Sequence, residues 1–146
     1  VKGQKGVLSV EKKLCVETNN GTNRQIRPVT PEQPLRIGDK VIVRLTIRTD
    51  REMNYVFLKD LRAGCFEPAD QLSGPESRDG IWYYRSPKDV SENFFINRLP
   101  EGTFVLEYPV YVSRSGEYAG GISTIQCMYA PEFVSHTAGE SLRIMP

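Results

Sequence analysis

His136, Cys15, Cys65 and Cys127 are the side chains here whose types could most readily do chemistry. His136 is the only histidine. It sits in a polar stretch, Ser135-His136-Thr137. A catalytic histidine needs a nucleophile within hydrogen-bond reach, and no G-x-S-x-G elbow is present. The plain reading is a surface histidine on a loop. The three cysteines are widely spaced, and no pair has the Cys-x-x-Cys spacing of a zinc or redox site. They read as reduced, small, buried side chains. Dispersed as they are, they and the single histidine are not expected to build an ordinary structural zinc site without carboxylates. Asp70, Glu76 and Asp79 could offer oxygens to a calcium ion. A solvated acidic loop is the simpler expectation for them. With 18 acidic residues some carboxylates must lie near others, so proximity alone does not point to glycoside hydrolysis. The expectation is a chain without catalysis, metal or cofactor.

Binding chemistry is the other possibility. Trp82-Tyr83-Tyr84 is an aromatic run. On a strand, Trp82 and Tyr84 share one face and Tyr83 takes the other. One face is expected to pack in a core, because aromatic rings bury large area. The other could be a platform for a sugar ring or a protein partner. Asn20-Gly21-Thr22 matches the N-glycosylation acceptor pattern, which is a common chance match.

The elements that must position these residues all read as strands. From Phe104 to Val112 every second residue is Phe104, Leu106, Tyr108, Val110 and Val112. That alternation predicts a long strand with this face in a core. The turn signals Pro100-Gly102 and Ser113–Gly116 flank it. Two further pieces, 117–119 and 122–129, split by Gly120-Gly121, suggest a β-meander. Ala130-Pro131 is expected to end it, because proline cannot donate to a ladder. Val41, Val43, Leu45 and Ile47 form a second clear buried face, with Ile42 the exception on the wet side. Residues 7–16 predict one strand with a bulge near Lys12. Residues 53–61 are apolar at both parities as far as Lys59, which predicts cover on both faces. Residues 26–34 hold Pro28, Pro31 and Pro34 and read as an edge or connector. Residues 69–80 read as a mobile loop and 133–140 as irregular. Residues 81–85 and 94–99 are short strands, and 142–145 a closing one. No window has helical periodicity. The fold class is all-β: an antiparallel, immunoglobulin-like β-sandwich of about nine short strands.

The totals agree with this. At 146 residues the chain fits a single domain, 1–146, with 1–6 as a polar linker cut from something larger. The net charge of +1, with scattered Lys and Arg, argues against a nucleic-acid partner. No window approaches the ~18 apolar residues of a membrane span, so no membrane contact is expected of this domain.

Several blocks carry a family resemblance. They are Gly38-Asp39-Lys40-Val41-Ile42-Val43-Arg44-Leu45 with Thr49-Asp50; Tyr55–Asp60 leading to Gly64 and Glu67-Pro68; Tyr83-Tyr84-Arg85; Phe94-Phe95 with Arg98-Leu99-Pro100-Glu101-Gly102-Thr103; and Met128-Tyr129-Ala130-Pro131-Glu132. Through them the chain resembles the C-terminal macroglobulin-like domain of bacterial alpha-2-macroglobulin-family proteins, from about Gly6 to Met145. The later blocks are the more specific. One departure is Asp60-Leu61-Arg62-Ala63-Gly64, where the family often reads D-x-L-P-A-G. The resemblance implies a macroglobulin-like β-sandwich within a large periplasmic or cell-surface protein. Such proteins look like endopeptidase inhibitors that trap a protease after it cuts a bait segment. Many carry a thioester in a Cys-x-Glu-Gln motif. That motif is absent here, since Cys15 is followed by Val16-Glu17-Thr18. The implied role is packing against other domains of the same polypeptide and shielding the thioester, with proteases met through the parent. Met128 and Tyr129, apolar and adaptable, are the expected contact. Strand alternation would send one of them into the domain's own core. The rival reading is a cell-envelope module that binds glycan or protein through Trp82 and Tyr84.

Overall fold

A computed structural model of the chain describes residues 8–20, 23–29, 34–68, 74–78, 81–88, 90–137 and 141–146. Among these residues there are fourteen strands and no helix. In chain order they are β1 (Leu8–Asn20), β2 (Asn23–Pro28), β3 (Leu35–Arg36), β4 (Lys40–Thr49), β5 (Met53–Leu61), β6 (Phe66–Pro68), β7 (Gly74–Arg78), β8 (Ile81–Pro87), β9 (Ser91–Leu99), β10 (Gly102–Val112), β11 (Gly116–Ala119), β12 (Ser123–Cys127), β13 (Ala130–His136) and β14 (Ser141–Met145). A five-stranded sheet runs β2-β1-β4-β10-β6, and a six-stranded sheet runs β13-β12-β5-β9-β8-β7. A small third sheet, β11-β14-β3, contains a parallel pair, β14 with β3. The pairings within the two large sheets are antiparallel. The architecture is the expected sandwich. It has more strands than expected because short edge pieces such as β3 and β6 carry too few residues to show a period.

The core follows the period-2 rule. Val41, Val43, Leu45 and Ile47 of β4 and Leu106, Tyr108, Val110 and Val112 of β10 face inward from one sheet. Val56, Leu58, Phe94, Ile96, Tyr83 and Ile125 face them from the other. The Phe94 ring joins the layers, 6.1 Å from Tyr108 across the sandwich and 5.7 Å from Tyr83 on the neighbouring strand. Burying each such side chain stabilises the fold by about 1.5–3 kcal/mol.

Several expectations fail for identifiable reasons. The predicted meander does not form: β10 lies in the five-stranded sheet, β11 in the small sheet and β12 in the six-stranded sheet. Side-chain period says which face a strand buries but not which strand it pairs with. β1 has no bulge at Lys12, because its register against β4 runs unbroken from Leu8 opposite Thr49 to Glu17 opposite Lys40. Pro131 does not end the chain's extended run. It sits inside β13, an edge strand, where the register against β12 shifts. An edge bulge tolerates a missing N–H. Residues 133–136, expected to be irregular, are the rest of β13. Residues 74–78, expected in a loop, form β7 against β8. Ile42, expected on the wet face, is buried. It lies in a cross-strand row with Cys15 and Pro109.

Candidate functional site

β8 is held between β7 and β9, and its residues alternate between buried and exposed from Ile81 to Arg85. Tyr83 is the core aromatic. Trp82 is 71% exposed and Tyr84 46% exposed on the outer face. Register extends this face across the sheet. Tyr84 lies opposite Phe95, Phe95 opposite Phe57, Phe57 opposite Gln126, and Gln126 opposite Val134. Phe57 and Phe95 stack with centroids 4.8 Å apart and planes inclined at 25°. The two-sided apolar pattern of β5 thus has a cause, although its outer side is not covered: Phe95 is as exposed as Tyr84.

Met128 and Tyr129 form the turn between β12 and β13. The alternation argument does not apply to a turn, and both side chains point outward, 53% and 77% exposed. The Met128 amide donates to the Tyr55 carbonyl at 2.8 Å. The Tyr129 ring packs on Tyr55, 4.7 Å between centroids. Tyr55 has φ of 60°, a left-handed conformation that costs a non-glycine residue about 1–3 kcal/mol. Tyr129 and Trp82 therefore belong to one sheet, at a turn and on a face that are both open.

Inside the sandwich lies a feature the sequence reading missed. Asp60 and Glu92, both fully buried, are direct cross-strand neighbours on β5 and β9. Asp60 takes Lys12 Nζ of β1 at 2.8 Å and the Ser123 hydroxyl of β12 at 2.6 Å. It also accepts a hydrogen bond from the Tyr108 hydroxyl of β10. Lys12 Nζ donates further to the carbonyls of Leu61 and Gly121, each at 3.1 Å. Glu92 receives Arg85 Nε at 2.7 Å and Arg62 Nη1 at 3.1 Å. Arg62 also holds the carbonyls of Ser91 and Lys88. Its own amide donates to the Val90 carbonyl at 2.9 Å, a bond that a proline in this turn could not make. The Arg85 guanidinium lies 5.7 Å from the centre of the Tyr108 ring. Burial first, and then the Asp60 carboxylate, push the Tyr108 hydroxyl well above the usual phenol range. It remains a donor.

The signal for this cluster was present. Lys12 shares parity with Leu8, Val10, Leu14 and Val16, and Asp60 with Val56 and Leu58. A charge at a core position needs a partner. The cluster joins both layers, and its two carboxylates are closed to solvent. Its geometry suits fixing strands against each other, not turnover.

The remaining candidates separate. His136 is exposed on edge strand β13, opposite Thr124, so it lies on a strand and not in a loop. All three cysteines are free and buried. Burial pushes the Cys65 thiol up, which leaves it a poor nucleophile. Glu76 lies on β7 opposite Tyr83. Asp70, Asp79, Gly21 and Thr22 lie outside the described residues. Among the described residues no group of three or more His, Cys, Asp or Glu could hold a metal ion. No helix of the described residues is long and apolar enough to cross a membrane.

Residues 8–132 match the family described as the bacterial alpha-2-macroglobulin MG10 domain. Salmonella alpha-2-macroglobulin reacted with methylamine has the same fold, with a TM-score of 0.71 and 22% identity over 96% of this chain. Trypsin-activated alpha-2-macroglobulin from Escherichia coli gives 0.71 and 17% over 96%. So does the native Escherichia coli protein spanning domain MG7 to the C-terminus. The chain covers 9%, 10% and 24% of those solved chains respectively. A curated relative, circularly permutated Ras protein 2 of Dictyostelium discoideum, is 28% identical over 109 residues, 75% of this chain and 3% of that one. The chain therefore spans a small part of the proteins it matches. With the family matched across most of its length and the sandwich seen directly, the chain belongs to the bacterial alpha-2-macroglobulin MG10 domain family.

Proposed function

We propose that this is a non-catalytic, C-terminal packing domain of a protease-trapping, alpha-2-macroglobulin-like endopeptidase inhibitor at the bacterial periplasm or cell surface. Its work is to seat against the thioester domain of the same polypeptide and keep water and amines from the thioester until a protease cuts the bait. The observation that carries this reading is the Met128-Tyr129 turn, where two adaptable apolar side chains project together from a rigid sheet. A thioester survives only in a dry site. Met128 can mould to an irregular surface, and Tyr129, braced on Tyr55, covers area at little entropic cost. Proteases are then partners of the parent and not of this domain. The reaction of the Salmonella neighbour with methylamine supports the choice of chemistry.

The intact mass of the full-length parent before and after methylamine is the first measurement. A gain of one amine adduct is expected. The parent carrying Met128→Ala and Tyr129→Ala should then lose its thioester several-fold faster in buffer. An unchanged lifetime would remove the two residues as a seal.

A second reading rests on the exposure of Trp82: a cell-envelope binding module for glycan or protein, using Trp82 and Tyr84. Trp82 is the only tryptophan of the chain. A saturable change in its fluorescence on titration with envelope oligosaccharides would favour this reading.

A further inference from the structure

The outer faces of the two large sheets differ in chemistry, and the difference points to a partner. On the five-stranded sheet, ion pairs Arg44–Glu107, Arg48–Glu11 and Lys40–Glu17 link neighbouring strands. Charged pairs thus flank the Cys15–Ile42–Pro109 row on that face. On the six-stranded sheet, the uncharged row Tyr84–Phe95–Phe57 crosses three adjacent strands, with Trp82 beside it and Val134 at its far end. Exposed aromatic side chains grouped on one sheet face, as Trp82, Tyr84 and Phe95 are, are the kind of surface that interaction sites use.

We propose that this aromatic face is the seat of a neighbouring domain of the same polypeptide, one that presents an apolar surface to it. The proposal rests on the packing-domain reading above and extends it from the Met128-Tyr129 turn to the whole face. The occupant follows from three observations. The chain covers only 9% of the Salmonella chain it matches, so relatives carry far more polypeptide than this fold. The row is continuous with the turn: Phe57 and Tyr55 lie on the same strand, and Tyr55 carries Tyr129. The chemistry disfavours a sugar, because Phe57 and Phe95 stack on each other and bring no hydrogen-bonding group to a ring of hydroxyls.

The test is hydroxyl-radical footprinting of the full-length parent, read by peptide mass spectrometry and normalised to each side chain's intrinsic reactivity. Trp82, Tyr84 and Phe95 are expected to label several-fold more slowly than their exposure in this fold requires. Phe95→Lys in the parent should restore fast labelling of Trp82 and Tyr84 while the β-sheet circular dichroism stays unchanged. Fast labelling of the row with Met128 and Tyr129 still slow would overturn this proposal and leave the packing-domain reading standing. Fast labelling of both would overturn both. Protection that disappears on dilution, which marks a second copy, or that appears only with added oligosaccharide, overturns the proposal as well.

Discussion

Charges pair in two regions of this domain with very different consequences. In the interior, Asp60 and Glu92 are wholly buried and hold Lys12, Arg62 and Arg85. On the outer face of the five-stranded sheet, Arg44–Glu107 and Arg48–Glu11 pair in contact with solvent. The local bonds look alike, 2.7 Å for Arg85–Glu92 and 2.6 Å for Arg44–Glu107. What differs is what remains if one partner goes. Outside, water replaces it. Inside, the survivor keeps the full penalty of a buried charge. Bond length therefore says little about worth, and burial says most of it.

Glu92→Ala is the strongest way to test this contrast. It leaves Arg62 and Arg85 buried without their carboxylate, and a loss of about 3–5 kcal/mol is expected in urea unfolding. A loss below about 1 kcal/mol, the range of surface pairs, would erase the distinction. Tyr108→Phe is a finer probe. Asp60 loses one donor and keeps Lys12 and Ser123, so about 1–2 kcal/mol should go at neutral pH. Its pH dependence sharpens the point. The folded hydroxyl is held above its unfolded value, near pH ~10. Its contribution is therefore full below about pH 10 and is lost as pH rises toward the folded value. The variant should lose less stability than the parent sequence between about pH 10 and 12. The Cys65 thiol, also raised by burial, adds a loss of the same sign from lower pH in both proteins. Arg44→Ala should cost the least, about 0–1 kcal/mol, and that cost should shrink further in salt. A cost matching that of Glu92→Ala would mean that the outer face is not solvated as its exposure implies.

The outer aromatic face sets the limit of reading by period. The alternation of Trp82, Tyr83 and Tyr84 was plain from the sequence, and so was the fact that one side must be core. Which side it is depends on the layer behind β8, where Tyr108 of β10 meets Arg85, and β10 is distant in the chain. The pattern of residues 53–61, apolar on both parities, was legible as unusual. Its cause was not, because Phe95 becomes the neighbour of Phe57 only through strand pairing. The charged cluster was legible in a weaker way. Lys12, Asp60, Arg85 and Glu92 all sit at core parity, yet each alone resembles an interruption, and Lys12 read as a bulge. Met128 and Tyr129 were picked out by resemblance, and only the turn explains why both point outward.

The sequence by itself determined the class of structure. Period-2 runs on β4, β10 and β8, separated by Pro and Gly punctuation, leave no helix to form and one apolar face per strand to bury. It also showed that this sequence holds no Cys-x-Glu-Gln motif, since Cys15 is followed by Val16-Glu17-Thr18, Cys65 by Phe66-Glu67-Pro68 and Cys127 by Met128-Tyr129-Ala130. Only the tertiary structure decided which strands pair, that β10 and β12 belong to different sheets, and that four inward charges and Arg62 meet in one place. The physical reason is range. A strand's period is set by its own backbone and the burial of one face, within a few residues. Pairing and charge matching are settled between segments tens of residues apart, by the free energy of the packed whole.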